Sequence, residues 1–241
     1  MRGSCHCGGV CFEVAGEVRR ASVCHCSQCR RMSGGTWASA SVALSDLAVE
    51  GEVRWFRASD RARRGFCPTC GAFLFWEAEG SGEIAVALGA VDGPTGLTVT
   101  RHLHVPETPP AEAGPHEGAC LCGAVTVAFD GGSGEVTACH CTQCRKVSGH
   151  VPLSIDDPDR RARIKGKVAT FTSPGGAVRS FCPTCGTKVA FDGPAGLLSI
   201  EMGLFDRLAG RGPDVQIFTA FKGDYYDLSE DVPAYPEAGP G

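Results

Sequence analysis

The chain has 241 residues, 43% of them hydrophobic and 21% charged, with a formal net charge of −4. That charge leaves no strong basic field for nucleic acid, and no apolar run approaches the roughly 18 residues of a membrane-spanning helix. The length fits two domains of roughly 110 residues, each small enough to gain from a metal staple.

The start, Met1-Arg2-Gly3-Ser4-Cys5, lacks the apolar stretch of a signal peptide. The chain holds 15 cysteines, spaced as C-x-C, C-x-C-x-x-C and C-x-x-C. These are chelating spacings rather than bridging ones, so reduced thiols holding zinc in the cytoplasm are expected.

Cys5 and Cys7 open the chain, and Val10–Val14 reads as a short strand. Cys11, inside it, has no counterpart in the second half and is expected to be a buried free thiol. The three-cysteine run Cys24, Cys26 and Cys29 leads into Arg30, Arg31 and a Ser33-Gly34 turn. Further strands are expected at Trp37–Leu44, Val49–Arg57, Phe73–Glu77 and Ile84–Leu88. Between them, Phe66-Cys67-Pro68-Thr69-Cys70-Gly71 reads as a zinc knuckle, in which Pro68 sets the turn and Gly71 lets the chain reverse. Trp37, Trp55, Phe56 and Trp76 are read as core rather than substrate wall.

A stretch rich in Pro, Glu and Ala, 106–115, reads as a linker. Beyond it the pattern starts again, 115 residues on. Cys120 and Cys122 echo Cys5 and Cys7. Cys139, Cys141 and Cys144 echo the three-cysteine run, followed by Arg145, Lys146 and Ser148-Gly149. Cys182 and Cys185 repeat the knuckle unchanged from Phe181 to Gly186. Val125–Phe129 and Val215–Phe221 read as strands, and Asp206–Ala209 as one helical turn at most. Residues 155–159 read as acidic and turn-like where the first copy has strand. The chain is therefore expected to be mainly β, with two tandem zinc-stapled domains of small antiparallel sheets, 1–105 and 116–241.

Each copy implies two kinds of site. Cys5, Cys7, Cys67 and Cys70, like Cys120, Cys122, Cys182 and Cys185, supply four thiolates. These can close a tetrahedral shell about 2.3 Å from zinc and leave no place for substrate. The three-cysteine runs leave a fourth position. It is open to an incoming thiol, as at catalytic zinc, or closed by His25 or His140; redox-active or metal-free thiols are the third reading. Arg30, Arg31, Arg145 and Lys146 are candidates to bind the carboxylates of an anionic thiol, or else they offset zinc–thiolate charge.

The order C-x-C-G…C-H-C-x-x-C-R…S-G…F-C-x-x-C-G, carried by both halves, resembles the family of glutathione-dependent formaldehyde-activating enzymes and centromere protein V. The resemblance implies a β-tent fold, structural zinc at the four-cysteine sites and catalytic zinc at Cys24, Cys26 and Cys29 and at Cys139, Cys141 and Cys144. That is up to two zinc ions per domain and four per chain. It also implies a carbon–sulfur lyase of the S-hydroxymethylglutathione synthase type, with glutathione or a similar thiol and an aldehyde as partners. A non-catalytic zinc module for macromolecular interaction is the alternative, or one active copy beside a structural one. The first copy keeps the aromatic loop with Trp37, and His102, and on that ground is expected to be the active one.

Overall fold

A computed structural model describes residues 1–106, 115–129, 134–194 and 196–239. The expected linker, 106–115, lies largely outside them. In the first half the strands are β1 (Arg2–Ser4), β2 (Cys11–Val14), β3 (Arg20–Cys24), β4 (Trp37–Ala43), β5 (Leu47–Glu50), β6 (Arg54–Ser59), β7 (Ala62–Phe66), β8 (Phe73–Ala78), β9 (Glu83–Ala87) and β10 (Arg101–Leu103), with helix α1 (Ser27–Ser33) after β3. The second half repeats them as β11 (His116–Ala119), β12 (Thr126–Phe129), β13 (Val136–Cys139), β14 (Leu153–Asp157), β15 (Arg163–Lys165), β16 (Ala169–Thr172), β17 (Val178–Phe181), β18 (Lys188–Asp192), β19 (Leu198–Glu201) and β20 (Val215–Ile217), with α2 (Thr142–Ser148) after β13. Among the described residues no helix is long and apolar enough to cross a membrane.

The fold is mainly β, in two similar halves of antiparallel and mixed sheets. Each half has a three-stranded sheet, β1-β2-β5 or β11-β12-β15. Each also has a seven-stranded sheet, β10-β3-β4-β9-β8-β7-β6 or its equivalent β20-β13-β14-β19-β18-β17-β16. Pairing is antiparallel except at one edge, where β10 runs parallel to β3 and β20 parallel to β13. Alternation sets the faces. In β2, Phe12 and Val14 point inward, whereas Cys11 and Glu13 point out. Cys11 is therefore exposed rather than a buried thiol.

Three further expectations are corrected by local geometry. The strand read at Val49–Arg57 is split into β5 and β6, because Gly51 turns the chain at φ +91°. Val215–Phe221 is strand only to Ile217; Phe218, at φ +56°, turns the chain into a 3-10 turn over Thr219–Phe221. Residues 153–157, read as turn-like over 155–159, instead form β14, paired to β13 and β19. The acidic side chains there are matched locally. Asp157 accepts from the Arg161 and Ala162 amides at 2.9 and 2.8 Å, and Asp156 accepts from Ser199 Oγ at 2.8 Å.

The halves interlock by reciprocal contacts. A Cβ at Gly71 would meet the Phe181 ring at 2.6 Å, and one at Gly186 would meet the Phe66 ring at the same distance. Gly89 N–H donates to Gly149 O at 2.9 Å, and Gly203 N–H to Gly34 O at 3.0 Å. Arg31 pairs with Asp206 at 2.6 Å, while Lys146 pairs with Asp92 at 2.5 Å. When residue i meets j and the equivalent of j meets the equivalent of i, the interface is of the isologous, two-fold kind. The tail adds an asymmetric tie: Tyr225 is 1% exposed within the first half's core, and Asp224 accepts from the Thr95 and Gly96 amides.

Candidate metal and thiol sites

The seven repeated thiols of each half gather into a four and a three. The ligand atoms of Cys5, Cys7, Cys67 and Cys70 all lie within 4.8 Å of one another, as do those of Cys120, Cys122, Cys182 and Cys185. Cys5 Sγ stands 3.4 Å from Cys7 Sγ, and Cys7 Sγ 3.6 Å from Cys67 Sγ. The second set gives 3.5 and 3.7 Å. Four sulfurs at tetrahedral zinc distance would be about 3.8 Å apart, so the packing suits that ion. The first C-x-C loop lies between β1 and β2 and the knuckle between β7 and β8, and the fold brings the two together. The amides of Val10 and Val125 donate to Cys5 and Cys120 sulfur at 3.2 Å, a polarity that favours thiolate.

The three-cysteine sets, Cys24, Cys26 and Cys29 and their repeats Cys139, Cys141 and Cys144, are equally compact. They are built at a strand-to-helix junction. Cys26 and Cys141 are the N-caps of α1 and α2, their sulfurs accepting from the Cys29 and Cys144 amides at 3.4 Å. Gly34 and Gly149 end the helices in the left-handed region, at φ +83° and +78°. Ser33 turns its hydroxyl back to Cys29 O at 2.9 Å, away from any ligand.

Crowded thiols divide their protons unevenly. Hydrogen bonds from Cys24 and Cys29 draw Cys26 down to about 2, while those from Cys24 and Cys26 hold Cys29 well above the ordinary thiol range. Cys141 likewise falls to about 2, chiefly through Cys139 and then Cys144. The protein alone thus supports one anion among three sulfurs, and a divalent cation is what would allow all three to ionise.

The histidines between the cysteines do not join these sets. His25 Nε2 meets His102 Nδ1 at 3.0 Å, and His140 Nδ1 meets Tyr226 Oη at 2.9 Å. His25 thus pairs with the edge strand β10, and His140 with the segment after β20.

The four basic residues after the runs are engaged elsewhere. Arg30 donates to His25 O and pairs with Asp206, Arg31 pairs with Asp206, and Lys146 with Asp92. Arg145 donates to His140 O and Phe221 O. Two arginines outside the cysteine motifs, absent from the expected site, lie against the three-cysteine helices. Arg179 Nη2 lies 3.5 Å from Cys144 Sγ, its Nη1 on Ser173 Oγ and its plane over Phe191 at 4.9 Å. Its counterpart Arg64, 3% exposed, donates to Gln28 Oε1 at 2.6 Å but leaves Nε and Nη1 buried without a partner. A guanidinium with two buried nitrogens unpartnered, as in Arg64, is costly unless negative charge stands nearby, and a filled thiolate site would supply it. The 115-residue echo of Arg64-Gly65-Phe66 in Arg179-Ser180-Phe181 is the sequence signal that points to them.

The two copies differ most in front of the three thiols. Beside Cys139, Cys141 and Cys144 opens a cavity of about 500 Å³. Its floor is the face of the second seven-stranded sheet carrying Ser154, Asp156, Lys188, Ser199 and Glu201. At the equivalent places in the first copy stand Ser39, Ser41, Phe73, Ala85 and Ala87. There Trp37, 3% exposed, stacks on Phe73 with centroids 4.4 Å apart; Pro152 takes the place of Trp37. Lys188 donates to Gly186 O at 2.9 Å and to Gly71 O, and burial lowers it to about 8. Burial raises the Glu201 carboxyl to about 7 against the opposing pull of Lys188 and Arg179, and its Oε2 has no hydrogen-bond partner. The more open of these two faces is thus on the second copy.

Comparison with known proteins came to three results. The family described as Glutathione-dependent formaldehyde-activating enzyme matches residues 1–107 and again 115–221. A crystal structure of a Rhodobacter sphaeroides protein, a structural genomics target, is 31% identical over 39% of this chain and 89% of that chain, with a TM-score of 0.34. No curated protein matched.

Proposed function

We propose, from the premise that the chain belongs to the glutathione-dependent formaldehyde-activating enzyme family and carries its domain twice, that it is a zinc-dependent carbon–sulfur lyase-type enzyme. In this reading a small thiol such as glutathione adds reversibly to an aldehyde. The observation that carries it is the cavity of about 500 Å³ that reaches Cys139, Cys141 and Cys144 in the second copy. Residues 1–105 and 116–241 are read as the two domains, and the reduced thiols suit a cytoplasmic setting.

Cys139, Cys141 and Cys144 would hold a catalytic zinc, and Cys24, Cys26 and Cys29 its counterpart; the two four-cysteine sets would hold structural zinc. When bound, a three-thiolate zinc would lower the pKa of a thiol entering the fourth position. The remaining work falls to the protein. Arg179 offsets negative charge at Cys144 and is itself held by Ser173. The addition forms an S–C bond and turns the carbonyl into a hydroxyl, so the thiol proton must reach the carbonyl oxygen. Glu201, with a carboxyl raised to about 7, exchanges a proton readily near neutrality and suits that transfer. The first copy has Ala87 in its place and Trp37 in front of the sheet, which favours one working copy beside a structural one.

The test is adduct formation from glutathione and formaldehyde, followed by NMR, with zinc content measured in parallel. Cys141→Ser is expected to lower turnover more than about 100-fold with the fold retained, and Cys26→Ser to leave most of it. Equal losses in both variants would refute the assignment to the second copy. Wild-type turnover in the double variant would refute the thiol sites altogether.

A further inference from the structure

The shape and lining of the second cavity bear on which reactant fills it. Ala138 pairs with Leu153, which sets Cys139 level with Pro152. Asp156 is four residues farther along β14, about 13 Å away at ordinary strand rise. The cavity therefore runs as a channel along the sheet from the thiols to Asp156 and Ser199. Its walls are largely apolar: Val147, Ala177, Phe191, Leu197, Ile217 and Phe221. Formaldehyde would leave nearly all of this length to water.

Glutathione suits the channel poorly. Its two carboxylates would need cations, and the cations present are committed. Lys188 is held by the Gly71 and Gly186 carbonyls, and Arg179 by Cys144 and Ser173. The far end instead carries the Asp156 carboxyl, whereas Glu201, opposite Ser154, stands nearer the thiols. An anionic tripeptide meets like charge there, whereas an uncharged chain brings none and buries its methylenes along the apolar walls.

We infer that the second copy's site selects an aldehyde bearing an extended apolar chain, which lies along β14 between those walls with its carbonyl carbon at the three-thiol end. This rests on the thiol–aldehyde reading above and names the second reactant. The chemistry is unchanged: the S–C bond forms, the C=O double bond becomes a C–OH single bond, and the proton of the thiol passes to that oxygen. At the equivalent place in the first copy Trp37 and Phe73 stack.

The experiment uses the full chain carrying Cys26→Ser, so that the second copy is read alone, with glutathione and the series acetaldehyde, butanal, hexanal and octanal. Burying one methylene is expected to raise kcat/KM about fourfold, so hexanal should exceed acetaldehyde by about 100-fold or more. Ser154→Trp, which places a ring in mid-channel, should cut the octanal value more than about tenfold and the acetaldehyde value far less. A flat or falling series, with formaldehyde still turned over, overturns the inference and leaves the thiol–aldehyde reading standing. A rising series that Ser154→Trp does not alter also overturns it, because the chain then binds elsewhere. If no aldehyde is turned over by the wild type either, the underlying reading fails and this one with it.

Discussion

Trp37 and Pro152 occupy the same place in two copies of one sheet, and they divide the molecule into a filled half and an open half. Around Trp37 the first sheet presents Phe73, Ala85 and Ala87; around Pro152 the second presents Lys188, Ser199 and Glu201. All seven thiols behind these faces are in register. The contrast shows which features a duplication can and cannot vary. A thiolate moved by one residue no longer reaches its ion. A wall residue can be exchanged so long as the gap is filled or becomes useful.

The closed four-cysteine sites should break this comparison if it is overdrawn. Cys70→Ser and Cys185→Ser are each expected to lose one zinc and most cooperative folding, because metal binding of order 10 kcal/mol in small zinc domains rivals a whole domain's stability. Calorimetry with zinc analysis checks this; a large drop in one copy alone would mean that the two staples are not equivalent. Next in size, Trp37→Ala should destabilise the chain by about 4 kcal/mol in urea unfolding, as truncation of a buried aromatic does. A loss below about 1 kcal/mol would show that Trp37 is not packing the first face.

The smallest effect is a pH dependence that only the second copy should possess. Burial raises Glu201 from 4.5 to about 7 in the folded chain. Between those values the folded state binds more protons than the unfolded state, so stability falls as pH rises through the window and levels off above 7. The fall is at most about 3 kcal/mol, reduced by the opposing charges of Lys188 and Arg179. Glu201→Gln should remove it in urea titrations at pH 5 and 7.5. An unchanged slope would assign the dependence to other groups.

Much of the site is legible as spacing. The short C-x-C and C-x-x-C spacings mark each pair as chelating; that Cys7 and Cys67, 60 residues apart, meet is shown by the fold. Strands with clear alternation, such as β2, or with an apolar run, such as β9, are also readable. Other features are hidden for definable reasons. β3 and β17 mix polar and apolar residues at sheet positions whose exposure depends on neighbours. β14 is a strand despite its acidic sequence because Ser199 and two backbone amides satisfy Asp156 and Asp157. Arg30, Arg31, Arg145 and Lys146 look like ligand contacts because they follow the cysteines directly. The helix carries them round to partners elsewhere, and Arg64 and Arg179, on another strand, lie against the thiol loops instead.

By itself the sequence determined the duplication, the thiol sets and the mainly β character. Metal chelation depends on short spacings, and strand patterning on local alternation; both are written along the chain. The tertiary structure alone decided that the copies exchange contacts through a two-fold interface, that the C-terminal tail enters the first core, and that the open channel belongs to the second copy. Each of these depends on which side chains meet across distant strands, and a cavity is defined by residues that no linear spacing brings together.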